Sequence, residues 1–274
     1  MNASVIATGI DHPEGVAWDP RGYLVAGGEA GQVYRVQLDG TASEYATTGG
    51  FCLGIALDAA GSAYVCDMGR SAVIKVTTNG ETSVHCSATE AGPLRVPNFP
   101  VFDDDGRLWV SDSGAWGSAD GAIVVIEPDG HALVATDQVR QFPNGLTISP
   151  DGTWLYAVES SRPGVSRLRM DGPTLAAPEV VVELPGTVPD GLAFGAGGEL
   201  LISCYRPDSI LVWDGFEAAT LYEDLTAMTI AAPTNLAFFG PELDRLANAN
   251  LHGSFLSEIP VQFTGAPLRR PELN

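Results

Sequence analysis

The sequence predicts an all-β fold, a six-bladed β-propeller with four antiparallel strands per blade, and three observations carry the prediction. The first is a repeat. Short apolar runs that end in a glycine turn recur as EGVAWDPRG, LGIALDAAG, NFPVFDDDG, NGLTISPDG and DGLAFGAGG, opening at Glu14, Leu53, Asn98, Asn144 and Asp190, with a degenerate sixth copy, TNLAFFGPE, opening at Thr234. Successive copies begin 39 to 46 residues apart, which is the length of a propeller blade. The second is turn chemistry. Each of the first five copies has a glycine eight residues after its start (Gly22, Gly61, Gly106, Gly152, Gly198), and a second turn follows at Asp39-Gly40, Asn79-Gly80, Asp129-Gly130, Asp171-Gly172 and Asp214-Gly215. Such pairs supply the positive φ of tight hairpins. The third is composition: 32 Gly and 19 Pro in 274 residues suit a turn-rich β protein better than helices.

Within a unit the strands follow from the apolar runs between turns. In the third copy, residues 99–103, 107–112, 122–127 and 131–136 form four such runs. Residues 4–8, SVIAT, resemble the outer-strand run ALVAT at 132–136. An N-terminal strand is therefore expected to complete the last blade and remove the ring's open edge. No linker interrupts the repeats, so residues 1–274 are expected to form a single domain.

Charge excludes several functions. The chain has 14 Lys+Arg against 34 Asp+Glu, a net charge of −20, and that field repels nucleic-acid phosphates and anionic lipid. No apolar run has the roughly 18–20 residues of a membrane span. The N-terminal stretch lacks a basic segment and a long apolar segment, so no signal peptide is expected. Cys52, Cys66, Cys86 and Cys204 have no paired spacing and are expected to be buried free thiols, in keeping with a cytoplasmic protein. The pattern of WD-type propellers and the phosphate-loop, dinucleotide and G-x-S-x-G motifs are all missing from the sequence.

Propeller geometry turns the repeat into a functional map. The residues that open the units, Glu14, Leu53, Asn98, Asn144, Asp190 and Thr234, should form a circle around the central channel. Four of them are carboxylates or amides, an oxygen set suited to a hard divalent cation such as Ca²⁺. No thiolate or imidazole is in the circle, against a dedicated zinc or copper site. Turn capping by a single Asn or Asp is common, but four at one repeat position point to a metal site.

These residues resemble the senescence-marker-protein/gluconolactonase family, which includes regucalcin: six-bladed propellers that hold a divalent metal in the channel with a Glu, two Asn and an Asp. The early E-G motif is similar to Glu14-Gly15, the two asparagines to Asn98 in VPNF and Asn144 in FPNGL, and the Asp-Gly motif to Asp190-Gly191 in VPDGLAF. SCYRPDSILVWDG also resembles the family. The resemblance spans essentially the whole chain. It implies one divalent metal, Ca²⁺ first with Mg²⁺, Mn²⁺, Zn²⁺ or Fe²⁺ as alternatives, and a small-molecule lactone or ester as substrate. It further implies that Asp190 is both ligand and general base, with direct carboxylate attack as its alternative role.

One departure bears on the substrate. Sugar-lactone members commonly carry Arg-x-Asn-Asp around the first asparagine, whereas this chain has Val96-Pro97-Asn98-Phe99. Phe99 is expected in the pocket where a second acid would stand, which favours a lactone or ester less polar than an aldonolactone. Trp116, in the long loop DSGAWGSADG, is expected to wall the substrate, and His252 to stand in the pocket as a hydrogen-bond donor to the substrate or a proton shuttle. Asp67 and Asp112 are expected to cap turns, and His12 to be exposed or to stand behind the ligands. Organophosphate hydrolysis at the same metal site and a non-catalytic calcium-binding propeller are the alternatives. Strictosidine-synthase-like propellers lack this ligand set.

Overall fold

The computed structural model describes residues 3–273. Six antiparallel sheets follow one another along the chain, over residues 16–47, 52–86, 97–136, 143–183, 188–223 and 233–259. Each is a blade of four strands, and blade 4 adds a short hairpin strand, Thr174–Leu175. The fourth strand of blade 6 is Ser4–Thr8, paired antiparallel with Phe255–Ile259 from Ser4↔Glu258 to Thr8↔Phe255, so the ring closes as the sequence predicts. Blade 3 has strands Pro97–Phe102, Leu108–Asp112, Ala122–Ile126 and Ala132–Thr136, within two residues of the expected bounds.

Burial explains why the inner strands are continuous apolar runs. Blades pack face to face, so both sides of an inner or second strand are covered: Ala63–Asp67 and Leu108–Asp112 are buried at every position. Outer strands such as Ala42–Thr47 are largely solvated. The core is six clusters, one in each gap between neighbouring blades. Trp18, Leu24, Phe239 and Leu256 fill the gap between blades 1 and 6, the last gap of the ring. Trp109, Ile123, Leu146 and Leu155 fill that between blades 3 and 4. The four cysteines are buried free thiols. The ten repeat glycines at the hairpin turns all have positive φ, from 57° at Gly172 to 108° at Gly22, conformations costly for any residue with a Cβ.

The chain beyond blade 6 forms a strap across one mouth of the channel. Ala266 N–H donates to Phe194 O, Arg269 Nη2 to Ser149 O at 2.9 Å, and Arg270 Nη2 to Asp58 O at 2.8 Å. Ala59 N–H in turn donates to Pro271 O at 2.9 Å. The strap thus links blades 5, 4 and 2, and Ala266–Arg270 line this mouth together with the ends of the inner strands. No helix among the described residues is long and apolar enough to cross a membrane.

Candidate metal centre

The opposite mouth holds a cavity of about 360 Å³ whose floor includes Glu14, Leu53, Asn98, Asn144 and Asp190. These residues open the inner strands of blades 1 to 5. The blades meet there closely enough to account for the glycines that follow them. A Cβ on Gly15 would lie 2.2 Å from Leu53 O, one on Gly145 2.2 Å from Asp190 O, and one on Gly191 2.5 Å from Thr234 O. Each glycine therefore admits the backbone of the next blade's opening residue; it is not a hairpin position. Thr234 closes the circle, its hydroxyl donating to Glu14 O at 2.8 Å.

The two asparagines are held in the same way in consecutive blades. Asn98 Nδ2 donates to Ser113 Oγ at 3.1 Å, and that hydroxyl donates to Pro143 O of the next blade at 2.6 Å. Asn144 Nδ2 donates to Ser160 Oγ at 3.3 Å, and Ser160 donates to Pro189 O at 2.6 Å. With each amide nitrogen committed, each amide oxygen is left over. Asn98 Oδ1, Asn144 Oδ1 and Asp190 Oδ1 are buried and have no hydrogen-bond partner. Orphaned buried acceptors are rare and costly.

Electrostatics point the same way. Burial, and after it the charge of Asp190, pushes the Glu14 carboxyl well above the usual carboxylate range. Burial raises Asp190 to about 7 against a hydrogen bond from Asn144. Arg206, a basic residue of the cavity wall, pairs with Asp208 at 2.6 Å. Two buried carboxylates and two amide oxygens fit a hard divalent cation, which would supply both the missing charge and the missing partners. Among the described residues no group of three or more His, Cys, Asp or Glu side chains converges, so the donors are of mixed carboxylate and amide type.

Apart from Ser160, Tyr205 and Arg206, the wall above this floor is apolar. Phe51, Val96, Phe142 and Val188 lie two residues before Leu53, Asn98, Asn144 and Asp190, and all four line the cavity. Their constant offset of two residues makes this second ring a register position that no motif marks. Phe142 has φ 59°, an unusual conformation for a bulky residue, and stands edge-on to Trp116 with centroids 4.9 Å apart. Met68, Trp116 and Leu251 come from the loops after the second strands, and Tyr205 from the end of the second strand of blade 5, Leu200–Arg206. Acids at the ends of those strands tie down the segments entering the inner strands. Asp67 accepts from Phe51 N–H at 2.9 Å and Asp112 from Val96 N–H at 2.6 Å, while Glu159 accepts from Gln141 N–H at 2.9 Å. Asp67 and Asp112 are thus capping residues.

Two expectations need correction. Phe99 is not in the cavity: it follows Asn98 directly, and its side chain packs with Trp109, Ile123 and Leu146 between blades 3 and 4. His252 does not line the cavity either; it stands behind Tyr205, which does, with Nε2 2.8 Å from Tyr205 Oη. His12 is half exposed and pairs with Asp11 at 2.9 Å. Trp116, 60% exposed, does lie at the cavity wall.

A family model described as "SMP-30/Gluconolactonase/LRE-like region" matches residues 12–247. Among solved structures, a gluconolactonase from Xanthomonas campestris superposes with a TM-score of 0.81 at 22% identity, over 94% of this chain and 89% of that one. Regucalcin from Agrobacterium tumefaciens, a calcium-binding protein, superposes with a TM-score of 0.81 at 19% identity, over 100% of this chain and 97% of its own. Strictosidine synthase-like 3 of Arabidopsis thaliana is 25% identical over 161 residues, which is 53% of this chain and 41% of that relative. The match thus spans less than half the length of that curated relative.

Proposed function

The chain belongs to the SMP-30/gluconolactonase/LRE-like family, and on that premise we propose that it is a divalent-metal-dependent hydrolase opening lactones or related esters less polar than an aldonolactone. Glu14, Asn98, Asn144 and Asp190 would hold the cation, with Ca²⁺ the first to test. The observation that carries this reading is the set of three unpartnered buried oxygens, on Asn98, Asn144 and Asp190, in one cavity with two carboxylates that repel each other. A bound divalent cation supplies Lewis-acid polarisation of a substrate carbonyl and stabilises charge on its oxygen.

The chain's own groups divide the remaining work. Asp190, ionised when its charge is compensated, takes a proton from the attacking water as general base. Ser113 and Ser160 hold the amides of Asn98 and Asn144 so that their oxygens face inward. Phe51, Val96, Phe142, Val188 and Trp116 cover the body of the substrate and exclude water from it. A polyhydroxylated sugar would find few partners on that wall, and buried hydroxyls without partners cost affinity. The apolar preference thus rests on these residues and not on Phe99. The four-oxygen floor favours hydrolysis over the chemistry of the strictosidine-synthase-like relative.

The test is proton release from a panel running from aldonolactones to alkyl and aryl lactones, with metal-stripped protein before and after Ca²⁺ is restored. Calcium-dependent release that favours the apolar members is the expected result. Preference for aldonolactones would overturn the substrate class. Calcium binding with no turnover of any lactone or organophosphate would leave a non-catalytic calcium-binding propeller.

A further inference from the structure

A hydrogen-bonded chain of four side chains runs along the blade 5 side of the cavity and is not used by the metal centre. Asp208 accepts from Arg206 Nη1 at 2.6 Å, and the same nitrogen donates to Tyr205 O at 2.8 Å. Arg206 Nη2 lies 2.9 Å from His252 Nδ1, and His252 Nε2 lies 2.8 Å from Tyr205 Oη. The guanidinium also covers the Tyr205 ring, 4.8 Å from its centroid, and the tyrosine and histidine rings meet edge-on at 5.3 Å. His252 is anchored from behind, its backbone N–H donating to Ala231 O at 3.1 Å.

Donor and acceptor rules give this chain a direction. An arginine only donates, so His252 Nδ1 must accept, and the neutral ring then carries its hydrogen on Nε2. Nε2 therefore donates to Tyr205 Oη. With its oxygen already accepting from the histidine, the tyrosine is left to donate its own hydrogen elsewhere, and Tyr205 lines the cavity. The chain thus presents one O–H donor on a wall that is otherwise largely apolar.

We propose that Tyr205 is a second catalytic residue, a proton donor to the oxygen that leaves when the substrate ring opens, and that His252 and Arg206 are its positioning residues. The proposal rests on the hydrolase reading above. In the step, water adds its oxygen to the acyl carbon and gives a proton to Asp190. The bond from acyl carbon to ring oxygen breaks, and the departing alkoxide takes the Tyr205 hydrogen. The tyrosinate keeps the hydrogen bond from His252 Nε2–H and regains a proton from solvent. Asp190 and the new carboxylic acid each release one. The balance is one water consumed and one proton released per lactone.

The test compares Tyr205→Phe with wild type, both loaded with Ca²⁺, on lactones whose leaving group is an aliphatic alcohol and on aryl lactones whose leaving group is a phenol. A phenolate departs without protonation, whereas an alkoxide does not leave readily. Proton donation contributes roughly 10²- to 10⁴-fold, so the variant should lose kcat in that range on the aliphatic lactones and keep most of it on the aryl ones, with KM little changed. His252→Gln, which retains an N–H donor, should recover part of the activity that His252→Leu loses. Equal slowing of both lactone classes, or a change confined to KM, overturns the assignment to Tyr205 alone. A wild type inert toward both classes overturns the hydrolase reading and this proposal with it. Independently of turnover, ¹⁵N NMR of the metal-free protein should show His252 with hydrogen on Nε2 and none on Nδ1; the opposite tautomer overturns the proposal.

Discussion

Removing the charge of Asp190 should stabilise the metal-free protein, and by an amount that depends on pH. Buried beside Glu14, Asp190 titrates near 7 in place of its ordinary 3.8. The native state therefore holds a proton that the unfolded chain gives up. Stability falls wherever the native state binds more protons. The contribution is whole below about pH 4 and is lost as pH rises through about 7. The rise from 3.8 to about 7 makes this a loss on the order of a few kcal/mol for the pair as a whole, Glu14 being raised in the same direction. Asp190→Asn keeps the shape of the side chain and cannot ionise. In chelator-treated protein its urea midpoint should be near that of wild type at pH 4.5 and clearly above it at pH 8. Calcium should reverse the order at pH 8, stabilising wild type far more than the variant, because the ligands proposed for it include both carboxylates in their deprotonated form. Wild-type and variant curves that run parallel from pH 4.5 to 8 without metal would refute the claim that two uncompensated carboxylates share this channel.

Three further outcomes follow from the packing. Gly145→Ala places a Cβ 2.2 Å from Asp190 O; overpacking of this kind costs about 1–3 kcal/mol or more, and calcium affinity measured by calorimetry should fall with stability. Trp116→Ala should leave the melting temperature almost unchanged, because the side chain is largely exposed. It should raise KM for apolar lactones roughly tenfold through the lost aromatic wall. Arg270→Ala removes the hydrogen bonds to Asp58 O and the ion pair with Asp19. Thermal unfolding should show a loss of about 1–3 kcal/mol, with calcium affinity intact because the strap lies at the other mouth.

Much of this architecture was legible because a propeller repeats its physics. The turn glycines recur in five of the six units, the blade length holds around the ring, and the closing strand at Ser4–Thr8 follows from its likeness to the outer strand Ala132–Thr136. The oxygen circle was legible for the same reason: register identified Glu14, Asn98, Asn144 and Asp190 where single motifs would not. What escaped was side-chain direction and non-repeating structure. Phe99 was assigned to the pocket from its sequence neighbour Asn98, but the residue after a channel-facing one packs against the next blade. Phe51, Val96, Phe142 and Val188 lay at a constant offset and were missed because apolar residues before an apolar strand look like core. The pairing of Tyr205 with His252 joins positions 47 residues apart in different blades, and no periodicity announces it. The strap formed by Ala266–Arg270 belongs to no repeat.

The most direct test of the account is anomalous diffraction from crystals of metal-stripped protein soaked in Mn²⁺, a redox-inert stand-in for Ca²⁺ with a measurable signal. One strong peak is expected in the channel, with oxygens of Glu14, Asn98, Asn144 and Asp190 as its protein ligands, and it should be lost or markedly weakened in Asp190→Asn crystals. A channel without a peak, or a cation bound only elsewhere on the acidic surface, would contradict the reading of these four oxygens as a metal centre.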